Sequence, residues 1–182
     1  MSHLFFDIRH RDFNADLSNW NVSRVTTMEG MFRNAPAFNG DLGRWKVHNV
    51  RNMNSMFDNA ASYEGKGLDQ WNRRLSSLRF AAHMFNEAAA FNGNVQGWQL
   101  PENCSLKGTF RNASLFNRTL SSWTPRERDE ATLLRGATSF KNGTDNANWR
   151  LSSDNVPEWL RSISLSPPEP MESVFNSDSE VD

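Results

Sequence analysis

The chain has 182 residues, is 37% hydrophobic and carries a formal charge of -1, with a mean hydropathy of -0.69. That leaves room for one modest core and excludes a strongly basic nucleic-acid binder or a strongly acidic surface, when charge is taken as an average. Thirteen Phe and seven Trp raise the aromatic share to 12%, so large rings rather than aliphatic side chains must carry the core.

The N-terminal MSHLFFDIRHR has a short apolar run before charges resume. This is too short for the apolar region of a signal peptide, and no later stretch approaches membrane-spanning length. The expectation is a chain without export or membrane signal, intracellular or assembled within a particle such as a virion. Cys104 is the single cysteine, which rules out an intramolecular disulfide and reads as a small buried hydrophobe. Glycosylation-type triplets begin at Asn21, Asn103, Asn112, Asn117 and Asn142, but the repeat is rich in Asn and Ser anyway.

Tryptophan exposes that repeat: Trp20, Trp45, Trp71, Trp98, Trp123 and Trp149 lie 25 to 27 residues apart. Two further ladders keep the same phase, Phe13, Phe38, Tyr63, Phe91, Phe116 and Phe140, and Ala35, Ala60, Ala88, Ala113 and Ala137. The first copy reads FNADLSNWNVSRVTTMEGMFRNA and its clearest echo FNGDLGRWKVHNVRNMNSMFDNA.

In chain order, each unit begins with an apolar i, i+3, i+5 pattern at Leu17, Trp20 and Val22, which predicts a short strand around Trp20 to Val22. Val25, Met28, Met31, Phe32 and Ala35 then recur at three- and four-residue steps, which predicts a short helix, with Thr26 and Glu29 in the form of a capping box. The AxxFNG loop turns the chain back, with Asn39, Asn92 and Asn117 suited to left-handed or side-chain-bonded turns. The third copy carries extra residues, and the fifth puts Leu133 and Leu134 in place of the Met-Phe pair. The resulting fold class is an α/β repeat solenoid, leucine-rich-repeat-like, with short parallel strands on the concave face and short helices on the convex face. Residues 1–151 make about six degenerate repeats that bury their rings only by stacking.

After Leu151 the pattern stops. SSDNVPEWLRSI predicts a capping helix over 152–163, with Val156, Trp159, Leu160 and Ile163 on one face. Residues 164–182 form an acidic, Pro- and Ser-containing tail that should not fold alone. Its Val174, Phe175, Asp178 and Glu180 have the pattern of a docking segment, an apolar anchor among acids; the plain alternative is a solubilising tail.

The stretch MFxNAxxFNxDLSxWxV resembles the BspA-like family of surface proteins, a leucine-rich-repeat variant. The match runs from about Phe13 to Leu151, with Met31, Phe32, Ala35, Phe38, Asn39, Asp41, Leu42, Trp45 and Val47 falling in order. The resemblance implies a curved stack used for adhesion or protein contact, with no catalytic residues to carry over.

Strand residues facing away from the core would line the concave sheet. They predict a protein-binding face of Asn19, Asn21, Arg44, Lys46, His48, Gln70, Arg74, Gln99 and Arg126, modestly basic, against the alternative of a merely solvated sheet. Asp16, Asp41 and Asp145 share one phase, but Gly67, Asn94 and Thr119 fill it elsewhere, which is turn chemistry rather than ligand chemistry. His3, His10, His48 and His83 lack zinc spacing, and no phosphate loop or nucleophile elbow occurs. The expectation is a non-enzymatic interaction or structural module, without cofactor or metal, whose partners are other proteins or further copies of itself. An adhesin-type surface protein is the alternative and an enzyme the third reading.

Overall fold

The structure is a computed structural model that describes residues 1–5 and 12–140. The chain divides into two units, Met1–Arg150 and Leu151–Asp182. The expected capping helix over 152–163 and the acidic tail over 164–182 lie outside the described residues, as does Trp149.

The repeat phase organises the first unit, but its secondary structure is not that of an α/β solenoid. Neither the strand around Trp20 to Val22 nor the helix from Val25 to Ala35 forms. Among the described residues the regular elements are a 3-10 helix at Leu68–Trp71 and one α-helix, α1, at Glu127–Leu133. No sheet is present among them: parallel pairing is confined to the isolated contacts Thr27–Asn52, Asn52–Phe80 and Phe80–Ser105. The expectation of leucine-rich-repeat strands on one face and helices on the other is therefore overturned.

The backbone hydrogen bonds explain the difference, since each buried N–H must be satisfied somewhere. In the segment expected to be helical, alternate N–H groups point along the stack instead. Met28 donates to the Asn52 carbonyl at 2.8 Å, Gly30 to Asn54 at 2.9 Å, Phe32 to Met56 at 2.8 Å and Asn34 to Asp58 at 2.9 Å. The next two repeats continue the ladder, from Met53 to Phe80 at 2.8 Å and from Ala81 to Ser105 at 2.9 Å. Within each repeat, consecutive four-residue turns close through i→i−3 bonds, Met31 to Met28 and Ala35 to Phe32, both at 3.1 Å. Their third residues take left-handed backbone: Gly30 and Asn34 at φ 56° and 57°, Ser55 and Asn59 at 51° and 57°, His83 and Glu87 at 56° and 57°. A four-residue turn brings its apolar ends to the same side just as a helix does, so Met28, Met31, Phe32 and Ala35 are all buried.

Two columns of rings fill the interior. Phe32, Phe57, Phe85 and Phe110 stack at centroid separations of 5.4, 5.5 and 5.6 Å. Phe38, Tyr63, Phe91, Phe116 and Phe140 run beside them at 5.6, 6.3, 5.8 and 5.9 Å. Within a repeat the columns touch, as Phe32 does Phe38 at 4.0 Å. Such offset, near-parallel pairs add to the burial energy of the rings.

Tryptophan makes the third column and does more than a leucine could. The indole Nε1 of Trp45, Trp71, Trp98 and Trp123 donates to the carbonyl of Leu17, Leu42, Leu68 and Val95 in the preceding repeat, at 2.9, 3.0, 2.9 and 3.2 Å. Each buried ring thus satisfies its own donor while locking its repeat to the one before. Trp20 departs from the expected buried ladder: it is 37% exposed and stands instead at the edge, 5.6 Å from Phe5.

Phe5 belongs to a partial repeat that the sequence reading did not recognise. The N–H groups of His3 and Phe5 donate to the Glu29 and Met31 carbonyls at 2.7 and 2.9 Å, continuing the ladder toward the N-terminus. The far end of the ladder differs. In α1 the backbone bonds are spent inside the helix, so side chains supply the acceptors: Asp129 Oδ2 receives the Leu106 N–H at 3.0 Å and Thr132 Oγ1 that of Gly108 at 3.2 Å. The ladder then resumes with Phe110 to the Leu133 carbonyl at 2.9 Å.

Candidate interaction surface

The predicted face stands on the turns around the tryptophans rather than on a sheet. Side chains there tie repeat to repeat. Asn14 Oδ1 accepts the Asn39 N–H at 2.8 Å, Asn39 Oδ1 the Glu64 N–H at 3.2 Å and Asn92 Oδ1 the Asn117 N–H at 3.1 Å. Asn39, Asn92 and Asn117 were expected to hold left-handed or side-chain-bonded turns. None of the three has a positive φ; their work is between repeats. The aspartate phase behaves as turn chemistry, with Asp16, Asp41 and Asn94 each accepting the N–H two residues on, at 2.9, 2.8 and 3.2 Å. Gly67, in the same phase, sits at φ 78°, and a Cβ there would run into the backbone of Gly43 in the preceding repeat.

Of the predicted binding residues, Asn19, Asn21, Arg44, Lys46, His48, Gln70 and Gln99 are exposed. Arg44 Nη1 reaches back to Asn19 Oδ1 at 3.2 Å. Asn19, Asn21, Arg44 and Lys46 share an open depression of about 320 Å3 with Trp20. A neighbouring depression of about 540 Å3 sets Arg44 against Asp16 and Asp41, so the face is mixed in charge around Arg44 rather than uniformly basic. The Ser18 N–H and hydroxyl hold the Asp16 carboxyl below its ordinary value, with Arg44 adding to the effect. Gln70 is engaged with Asp69 at 2.8 Å. Arg74 and Arg126 turn inward: Arg74 Nη1 donates to the Trp45 carbonyl at 3.3 Å and Arg126 Nη2 to that of Asn103. The predicted tail residues Val174, Phe175, Asp178 and Glu180 lie outside the described residues.

A further polar depression, of about 320 Å3, is lined by Arg51, Ser77 and Arg79 on the flank where the ladder begins. Sequence reasoning passed over it. Its signal was an arginine two residues before Met53 and Ala81, in one phase of consecutive repeats. Beside it in the chain, Phe80 is 50% exposed. Cys104 is buried, and burial pushes its thiol up to about 12, against smaller opposing effects of Arg126 and Arg79. Burial likewise holds the His83 imidazole below its usual value, opposed by Asp58. Among the described residues no group of three His, Cys, Asp or Glu side chains could hold a metal ion. Nor is any helix among them long and apolar enough to cross a membrane.

Stacked copies of one short unit that share a core define a repeat protein. The chain belongs to the family described as "Mycoplasma protein of unknown function, DUF285", which it matches over residues 1–78 and 64–161. No curated protein and no solved structure matches it.

Proposed function

We propose that this chain is a non-enzymatic interaction module, a stack of BspA-like repeats that binds other proteins through the face carrying Asn19, Asn21, Arg44 and Lys46. The observation that carries this reading is their register. Arg44 and Lys46 stand one repeat on from Asn19 and Asn21, all exposed and lining one open depression, while the interior beneath is closed by Leu42, Trp45 and Val47 at 0% exposure. A shallow, polar, regularly spaced surface suits contact with a macromolecule better than enclosure of a small substrate. The resemblance of the MFxNAxxFNxDLSxWxV pattern to BspA-like surface proteins favours the same reading.

The experiment places a photo-crosslinking residue at Asn21, and in a second protein at Asn59 on the exposed ladder turns, in material from the native source. Asn21 should give a discrete crosslinked protein that Asn59 does not, and R44E/K46E should abolish it. Equal crosslinking from both sites, or an R44E/K46E variant that captures the same protein undiminished, would overturn the reading.

A further inference from the structure

Arg51 and Arg79 are brought side by side by the ladder itself. The Arg51 N–H donates to the Thr26 carbonyl at 2.8 Å and the Arg79 N–H to the Arg51 carbonyl at 2.9 Å, so the two residues occupy successive rungs. Their side chains and Ser77 line one depression, with no carboxylate among the described lining residues. Arg79 is anchored: its Nη1 donates to the Ser76 and Leu78 carbonyls at 3.2 and 2.9 Å, which leaves the rest of its planar fork available. The exposed Arg51 guanidinium makes no hydrogen bond within the described residues. Two adjacent cations with no counter-charge among the described lining residues repel, and an anion between them removes that repulsion while accepting paired N–H donors.

We propose that this depression docks a carboxylate side chain from an acidic peptide segment of a partner protein. Arg79 is the fixed donor, Arg51 the mobile one and Ser77 a third. The length of the cationic row selects the partner. Along the described ladder it spans two repeats: the adjoining rungs are Thr26 and Ser105, and Arg126, in the next repeat, is committed to the Asn103 carbonyl. A nucleic-acid backbone presents charge continuously and is held by a longer track of cations, whereas a local acidic cluster needs no more than this pair. Phe80, exposed one residue beyond Arg79, offers an apolar contact to a neighbouring residue of such a segment.

The test titrates the full chain with an oligoglutamate peptide, following the side-chain Nε–H signals of Arg51 and Arg79 by NMR. Single-stranded DNA of equal charge and inorganic phosphate serve as parallel probes. Oligoglutamate should shift both signals, and R51Q should weaken it at least about fivefold, as expected for loss of one charge-assisted pair. Near-UV circular dichroism should be unchanged by that substitution. Tighter binding of the DNA at these signals, saturation by phosphate alone at the same concentration, or R51Q affinity equal to wild type would each overturn the proposal. The R44E/K46E variant should bind oligoglutamate like wild type, which keeps this result separate from the fate of the tryptophan-side face.

Discussion

Replacing Trp71 by Ala tests the stacking argument at its most constrained point. The side chain is 0% exposed, its ring lies 5.9 Å from that of Trp98, and its Nε1 donates to the Leu42 carbonyl at 3.0 Å. Truncating a buried aromatic to Ala costs about 3–5 kcal/mol through lost burial and the cavity left behind. That is a large share of the roughly 5–15 kcal/mol that holds a domain together. Trp71→Phe keeps a ring in the column but loses the donor. The Leu42 carbonyl retains the Trp45 N–H at 3.1 Å, so the hydrogen bond itself should count for about 1 kcal/mol. Trp20→Ala, at an exposed edge position, should cost less than either. Urea unfolding followed by the fluorescence of the remaining tryptophans orders the three variants. A Trp71→Ala cost under about 1 kcal/mol, or a Trp20→Ala cost equal to it, would refute the view that neighbouring repeats hold one another through this column.

Two further outcomes follow from the ladder. Asp129 is 2% exposed and its Oδ2 receives the Leu106 N–H; Asp129→Ala leaves that buried donor unpaired and should cost about 1–3 kcal/mol, while Asp129→Asn, which keeps an acceptor, should lie close to wild type in the same urea assay. His83 has a folded-state value below that of the unfolded chain, chiefly through burial, so its contribution is fully present above the ordinary histidine value and declines as pH falls below it. Unfolding midpoints measured on both sides of that value should show the decline, and His83→Asn should flatten it.

Much of the core was legible because burial is written in residue type and spacing. Rings and alanines at a constant phase can be buried only if copies stack, and Trp45, Phe38 and Ala35 are buried as that phase requires. The exposure of the proposed face was half legible. Periodicity found Arg44 and Lys46 on the surface, but a column does not say which way a long side chain turns, and Arg74 and Arg126 fold back onto carbonyls of an earlier repeat. The Arg51–Arg79 pair stands in phase in the sequence, but only the bond from the Arg79 N–H to the Arg51 carbonyl, a repeat away, sets the two on neighbouring rungs.

The amino-acid sequence by itself determined the repeat, its phase and the aromatic interior, because these depend only on where apolar residues fall along the chain. Only the tertiary structure decided the backbone. Apolar steps of three and four at Met28, Met31, Phe32 and Ala35 fit a helix and a pair of left-handed turns equally, since both return side chains to one side at that interval. Gly30 and Asn34, Asn59, and Gly108 and Asn112 carried the local hint of the turns, being residues that tolerate positive φ. What settles the choice is a partner beyond the unit: the carbonyls of Asn52, Asn54, Met56 and Asp58 stand where the N–H groups of Met28 to Asn34 can reach them. A hydrogen bond between residues a full repeat apart exists only once the stack has formed, so no reading of one repeat could contain it.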